Sequence, residues 1–193
     1  RVLNDDRVEA GKGFGIHPHK NMEIISIPLK GKLKHGDSNK NSRTITIGDI
    51  QTMSAGTGIY HSEMNGSDTE PVEFLQIWVM PEKLNTPPAY RDYDIRPFLR
   101  KNELALIVSP DGDAPAKMLQ QTWFSIGEIE AGKKIGYHMH QSHAGVYIFV
   151  IEGEVKVDDT VLSRRDGMGV YDTHSFELET LKDSHILLME VPM

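Results

Sequence analysis

Two well-separated stretches of this chain repeat one pattern: a histidine pair with a single residue between, an apolar run, a glycine turn and a second short run. His17-Pro18-His19 leads through Ile24-Ile25-Ser26-Ile27-Pro28-Leu29 to Gly31 and Lys32-Leu33-Lys34. His138-Met139-His140 leads through Tyr147-Ile148-Phe149-Val150-Ile151 to Gly153 and Glu154-Val155-Lys156. Further on, Ile47-Gly48-Asp49 has a counterpart in Arg165-Asp166-Gly167, and residues 74–79 have one in residues 186–191. The chain therefore reads as two copies of one β unit. No long stretch has the helical apolar period, and 17 glycines and 10 prolines spread between short apolar runs fit an all-β architecture with many turns.

The run after the first histidine pair, residues 21–29, is rich in β-branched residues and ends in Lys30-Gly31-Lys32, which predicts a strand and a hairpin. Residues 43–47, the turn Gly48-Asp49 and residues 50–53 predict a second hairpin. Ser54-Ala55-Gly56-Thr57-Gly58 then delivers Ile59-Tyr60-His61-Ser62-Glu63-Met64, and residues 72–79 predict another strand.

In a strand, residues i and i+2 share a face. His17 with His19, and His61 with Glu63, therefore each aim two side chains one way. If the two strands lie side by side, three imidazoles and a carboxylate converge on one point, a nitrogen and oxygen site for a divalent transition metal. A lone histidine is more often a hydrogen-bonded structural residue than a ligand. Two equally spaced pairs separated by strand-forming sequence favour the metal. Four protein ligands leave open positions on an iron-like ion, whereas a structural zinc is usually closed and tetrahedral.

The 193 residues suffice for one large or two small domains. Residues 81–94, with paired prolines and no apolar period, predict an extended connector, and the boundary is placed near Phe98: 1–97 for a first, metal-bearing barrel plus connector, 98–193 for a second, degenerate one. Net charge is −7 and the basic residues are scattered among acids, which argues against nucleic acid as a direct partner. No apolar run approaches the length of a membrane span, and the first residues lack a secretory signal's apolar region. The absence of cysteine fits a reducing cytoplasm.

The two halves are not chemically equal. After His138 and His140 the second half has His143 but no nearby acid, and its later strand, read over 170–178, carries His174 without a carboxylate at i+2; Glu177 falls on the opposite face. Surface or pocket histidines, rather than a second metal site, are expected there.

Gly13-Phe14-Gly15-Ile16-His17-Pro18-His19-Lys20-Asn21-Met22-Glu23, the run from Gly48 through His61-Ser62-Glu63-Met64, Leu75-Gln76-Ile77-Trp78-Val79 and the Pro88-Ala89-Tyr90 connector resemble the pirin family of bicupins. Relative to that family, the strands that normally precede Arg1 are missing. The resemblance implies two cupin-type jelly-roll β-barrels packed face to face, with one metal in the first held by His17, His19, His61 and Glu63. Fe(II) is the first expectation, with Ni, Co, Cu, Mn or Zn open, since this donor set accepts them all. Glu23 matches the acid of the general cupin motif. It would hydrogen-bond a ligand histidine and fix its tautomer, or else sit as a strand acid with a basic partner.

Some pirins resemble quercetin 2,3-dioxygenases in activity, which implies oxidative opening of a flavonol's central ring with release of carbon monoxide. Glu63 would then take the hydroxyl proton. Phe14, Met22 and Gln76 neighbour the ligand strands and are candidate pocket residues, although aromatic and methionine side chains readily fill cores. The competing class is a metal-dependent, redox-sensing protein that binds a partner such as a transcription regulator. A sugar isomerase would want more polar groups than these strands carry. A monomer is expected.

Overall fold

A computed structural model describes residues 2–193. They form strands β1 (Val2–Val8), β2 (Gly13–His19), β3 (Glu23–Lys30), β4 (Lys32–Asp37), β5 (Ser42–Thr46), β6 (Asp49–Ser54), β7 (Ile59–Asn65), β8 (Val72–Val79) and β9 (Ala89–Asp94), then a single 3₁₀ turn, Arg96–Phe98. There follow β10 (Ala105–Ser109), β11 (Ala116–Lys117), β12 (Trp123–Ile129), β13 (Lys134–His138), β14 (Ala144–Glu152), β15 (Glu154–Val157), β16 (Thr160–Ser163), β17 (Gly167–Val170), β18 (Ser175–Thr180) and β19 (Ser184–Pro192). The chain divides into two compact units. Residues up to Arg96 together with Pro115–Gln120 make the first, and Pro97–Ala114 with Gln121–Met193 the second. No helix among the described residues is long and apolar enough to cross a membrane.

In the first unit, one sheet runs β1-β8-β3-β6-β9 and the other β2-β7-β4-β5. The registers Asn4↔Gln76, Ser26↔Gln76 and Ser26↔Gln51 put the even residues of β1, β3 and β8 on one face with Gln51 and Met53. Glu23, Ile25, Thr52 and Ser54 occupy the other face. Leu33, Ile45, Val72 and Phe74 form one apolar cluster of this unit, and Ile24, Met53, Ala55 and Ile59 another.

The two predicted hairpins are not hairpins. β3 is hydrogen-bonded on one edge by β6 and on the other by β8, so it has no edge left for β4, which pairs with β5 and β7 in the other sheet. β6 is likewise held between β3 and β9 while β5 lies on β4. Both glycine turns are thus corners between sheets. Gly31 takes φ +74, and a Cβ there would stand 2.6 Å from the Pro71 carbonyl oxygen, so only glycine fits the corner.

Two further readings are corrected. The connector read over 81–94 ends in a strand, β9, whose partners run from Ala89↔Ser54 to Asp94↔Asp49. An edge strand packs on one side only, so it needs little apolar patterning. Residues 170–178 are not one strand. Asp172, at φ +56, breaks the run between β17 and β18, which belong to different sheets, and leaves His174 in the bend.

The second unit repeats the plan, with β10-β12-β19-β14-β17 in one sheet and β13-β18-β15-β16 in the other. Its core includes Ile129, Val146, Ile148, Val155, Leu178, Ile186 and Leu188.

Candidate metal centre

β2 and β7 lie side by side, with His17 opposite His61 and His19 opposite Ile59. The register slips between Phe14 and His17, a bulge that leaves Ile16 projecting outward at 81% exposure. At that bulge the His17 Nδ1–H donates to the Gly15 carbonyl at 2.8 Å, which turns the lone pair of Nε2 inward. The rings of His17, His19 and His61 are mutually edge-on at centroid distances of 4.9, 4.4 and 4.8 Å. One nitrogen from each lies within 4.8 Å of the others.

These donors suit a transition metal. The Nε2 atoms of His17 and His61 stand 2.9 Å apart, and among the described residues the buried His19 Nε2 and His61 Nδ1 have no hydrogen-bond partner. Buried nitrogens without partners are rare and costly, and a cation at the cluster would take up the His19 Nε2 lone pair together with the facing Nε2 atoms of His17 and His61. Burial, with the neighbouring His17, lowers His19 to about 4 and His61 to about 3, so both rings are neutral near pH 7 and free to coordinate.

Glu63 is buried and lines the same cleft as His17 and His19, but its carboxylate lies outside the three-nitrogen cluster. Gln76 Nε2 donates to its Oε2 and Ser26 Oγ to its Oε1 at 3.1 Å. Burial pushes its carboxyl upward against those two bonds. The structure thus gathers three of the four expected donors and tethers the fourth beside them.

The cleft has a volume of about 430 Å³, within the roughly 300–1,000 Å³ typical of small-molecule sites. Phe14 and Gln76 line it, as does Trp78, whose ring meets His19 edge-on at 4.9 Å. Met22 does not; it packs against the apolar cluster of Ile24, Met53, Ala55 and Ile59 instead. Glu23 also departs from expectation. Its position opposite Ser54 puts it on the sheet face away from the histidines, where it accepts from Ser54 Oγ at 2.8 Å and from the Leu119 backbone N–H, with no basic partner among the described residues. Burial pushes its carboxyl up.

Sequence reasoning missed Asn4 and Asp6, which line the cleft from β1. It also missed His35, fully buried beside His61 at a centroid distance of 5.4 Å. His35 donates from Nε2 to Asp37 at 3.0 Å, takes a bond from Gln51 on Nδ1 and stacks on Tyr90 at 4.2 Å. The cross-strand pairs His35↔Glu63 and Asp37↔His61 set this layer against the cluster, and only the fold reveals them.

In the second unit the histidines do not converge. His138 ends β13, and His140 turns into the following bend, where it stacks on Trp123 and donates from Nδ1 to Glu190 at 2.8 Å. An acid is therefore present after all, brought from β19. Glu190 is fully buried and also accepts from Tyr137 Oη and the N–H groups of His140 and Gln141. Among the described residues, His17, His19 and His61 are the group of this kind that could hold an ion.

The Pirin family profile matches residues 1–79, and that of the quercetinase C-terminal cupin domain matches residues 106–191. A protein of Escherichia coli named quercetin 2,3-dioxygenase is 37% identical over 100% of this chain and 82% of its own length. The chain belongs to the pirin family. A Pseudomonas aeruginosa relative, a putative quercetin 2,3-dioxygenase, is 33% identical over 99% of this pirin and 82% of that protein. The crystal structure of YhhW from E. coli superposes with a TM-score of 0.93 at 37% identity, covering 100% of this chain and 81% of the other. A structure described as bacterial pirin YhhW in complex with nickel(II) gives 0.92 at 35%, over 100% and 82%. The bicupin fold follows from this likeness.

Proposed function

We propose that this pirin opens flavonols as a quercetin 2,3-dioxygenase does, with one divalent transition metal, Fe(II) first, held by His17, His19, His61 and Glu63. The observation that carries the reading is a cluster of three histidines at the wall of a cleft that Phe14 and Trp78 also line. A bound ion of this class supplies a Lewis-acid seat for the flavonol hydroxyl and redox access to dioxygen.

The chain's own residues do the rest. Phe14 and Trp78 offer flat apolar surface for a fused aromatic ring. Glu63 takes the proton of the flavonol hydroxyl, and its raised proton affinity suits that task. Gln76 and Ser26 hold its carboxylate, so it is oriented before substrate arrives. Among the described residues no lysine or arginine lines the cleft, and none of them there offers a carboxylate or phosphate substrate a cationic partner.

The test is anaerobic purification, metal removal and reconstitution with each candidate ion, followed by quercetin turnover in air. Consumption of quercetin with release of carbon monoxide supports the reading. No turnover with any ion overturns it and moves the role to metal-dependent binding of a protein partner.

A further inference from the structure

β1 contributes a polar edge to the cleft that the flavonol reading alone does not use. In its register with β8, Asn4 sits opposite Gln76 and Asp6 opposite Phe74, so both face the interior while Leu3, Asp5 and Arg7 face the other way. Asp6 lines the cleft with Asn4, His17, His19 and Glu63. Among the described residues its carboxylate has neither a hydrogen-bond donor nor a cationic partner, although it is only partly exposed. Burial and the adjacent Asp5 push its carboxyl up, and its charge in turn pushes Glu63 up. A half-buried acceptor without a donor is an incomplete site.

Resting on the flavonol reading, we propose that Asp6 and Asn4 form a subsite that accepts phenolic O–H groups remote from the reacting hydroxyl, and so select polyhydroxylated flavonols. The chemistry fits the acceptor. A carboxylate has only lone pairs to offer, and a phenol O–H is a strong donor. Asn4 adds an amide that both donates and accepts, which matches two neighbouring hydroxyls on one ring. Substrates bearing carboxylates meet repulsion from Asp6, and those with a bare ring leave it unpaired. Rejection of an analogue that lacks a hydrogen-bonded group is the strongest form of selectivity a pocket has.

The experiment measures equilibrium binding to the metal-loaded protein under anaerobic conditions, following quenching of tryptophan fluorescence, since Trp78 lines the cleft. Three probes are used: quercetin, 3-hydroxyflavone without further hydroxyls, and the flavone that keeps quercetin's other hydroxyls but lacks the one at position 3. Asp6→Ala is expected to weaken quercetin and the polyhydroxylated flavone by about tenfold or more, the scale of a hydrogen bond to a charged group. Binding of 3-hydroxyflavone should be unchanged, and so should metal content. Asp6→Asn, whose amide oxygen still accepts, should fall between and controls for folding. Equal weakening of all three probes, no weakening of any, or binding of none by the parent overturns the proposal. If Asp6-dependent binding is found but quercetin is not turned over, the subsite stands and the dioxygenase reading falls.

Discussion

His17 and His61 face each other across β2 and β7 with their Nε2 atoms 2.9 Å apart. Two imidazole nitrogens come this close either by sharing a proton or by sharing a cation. His17 already spends its Nδ1–H on the Gly15 carbonyl at the bulge, so its inward nitrogen is a lone pair. The backbone irregularity of one strand thereby sets the donor state of the site.

Replacing Glu63 separates binding from proton transfer. Glu63→Gln keeps an oxygen that can accept from Gln76 or Ser26, but the amide cannot take up a proton. It should retain more metal than Glu63→Ala and lose about 10²–10⁴-fold in quercetin turnover at matched metal occupancy, the usual contribution of a general base. Undiminished turnover in Glu63→Gln would remove the carboxylate from that role.

Glu23 should mark the pH dependence of stability. Its carboxyl is raised in the folded protein by burial, so the folded state holds this proton to higher pH than the unfolded chain. The stability it contributes is complete below its ordinary value near 4.5 and is lost as pH rises through the folded value. Glu23→Gln, whose amide oxygen can still accept from Ser54 and Leu119, should melt higher than the parent at pH 7, by about 2–4 °C for each kcal/mol recovered. The gap should close as pH falls toward 4. Thermal melts across that range check the sign.

Tyr137 tests the second unit. Its hydroxyl donates to the fully buried Glu190 at 2.9 Å, one of four bonds that hold the carboxylate. Tyr137→Phe should destabilise by about 1.5–3 kcal/mol, the range for a hydrogen bond to a charged group, while metal content stays that of the parent. Calorimetric melts and elemental analysis of the same preparation measure both.

What the sequence made legible was local. A β-branched run identified β3, and equal spacing identified the pairs that β2 and β7 carry, because residue type and the two-residue period of a strand are written in neighbouring positions. Which strands adjoin which was not. The turns at Gly31 and Gly48 look the same whether they close a hairpin or turn a corner between sheets, and only the filled edges of β3 and β6 decide. The same holds for the site. Glu23 matched a motif yet faces away, since its face is fixed by register with Ser54. Asp6, His35 and Glu190 act through partners far along the chain, so no local signal announced them.

Metal content of His61→Ala and His138→Ala, purified anaerobically and compared with the parent by elemental analysis, tests the central assignment most directly. One equivalent of transition metal in the parent and in His138→Ala, with most of it lost from His61→Ala, is the predicted result. Retention of metal by His61→Ala, or equal losses in both variants, would contradict it and place the ion elsewhere than the cluster of His17, His19 and His61.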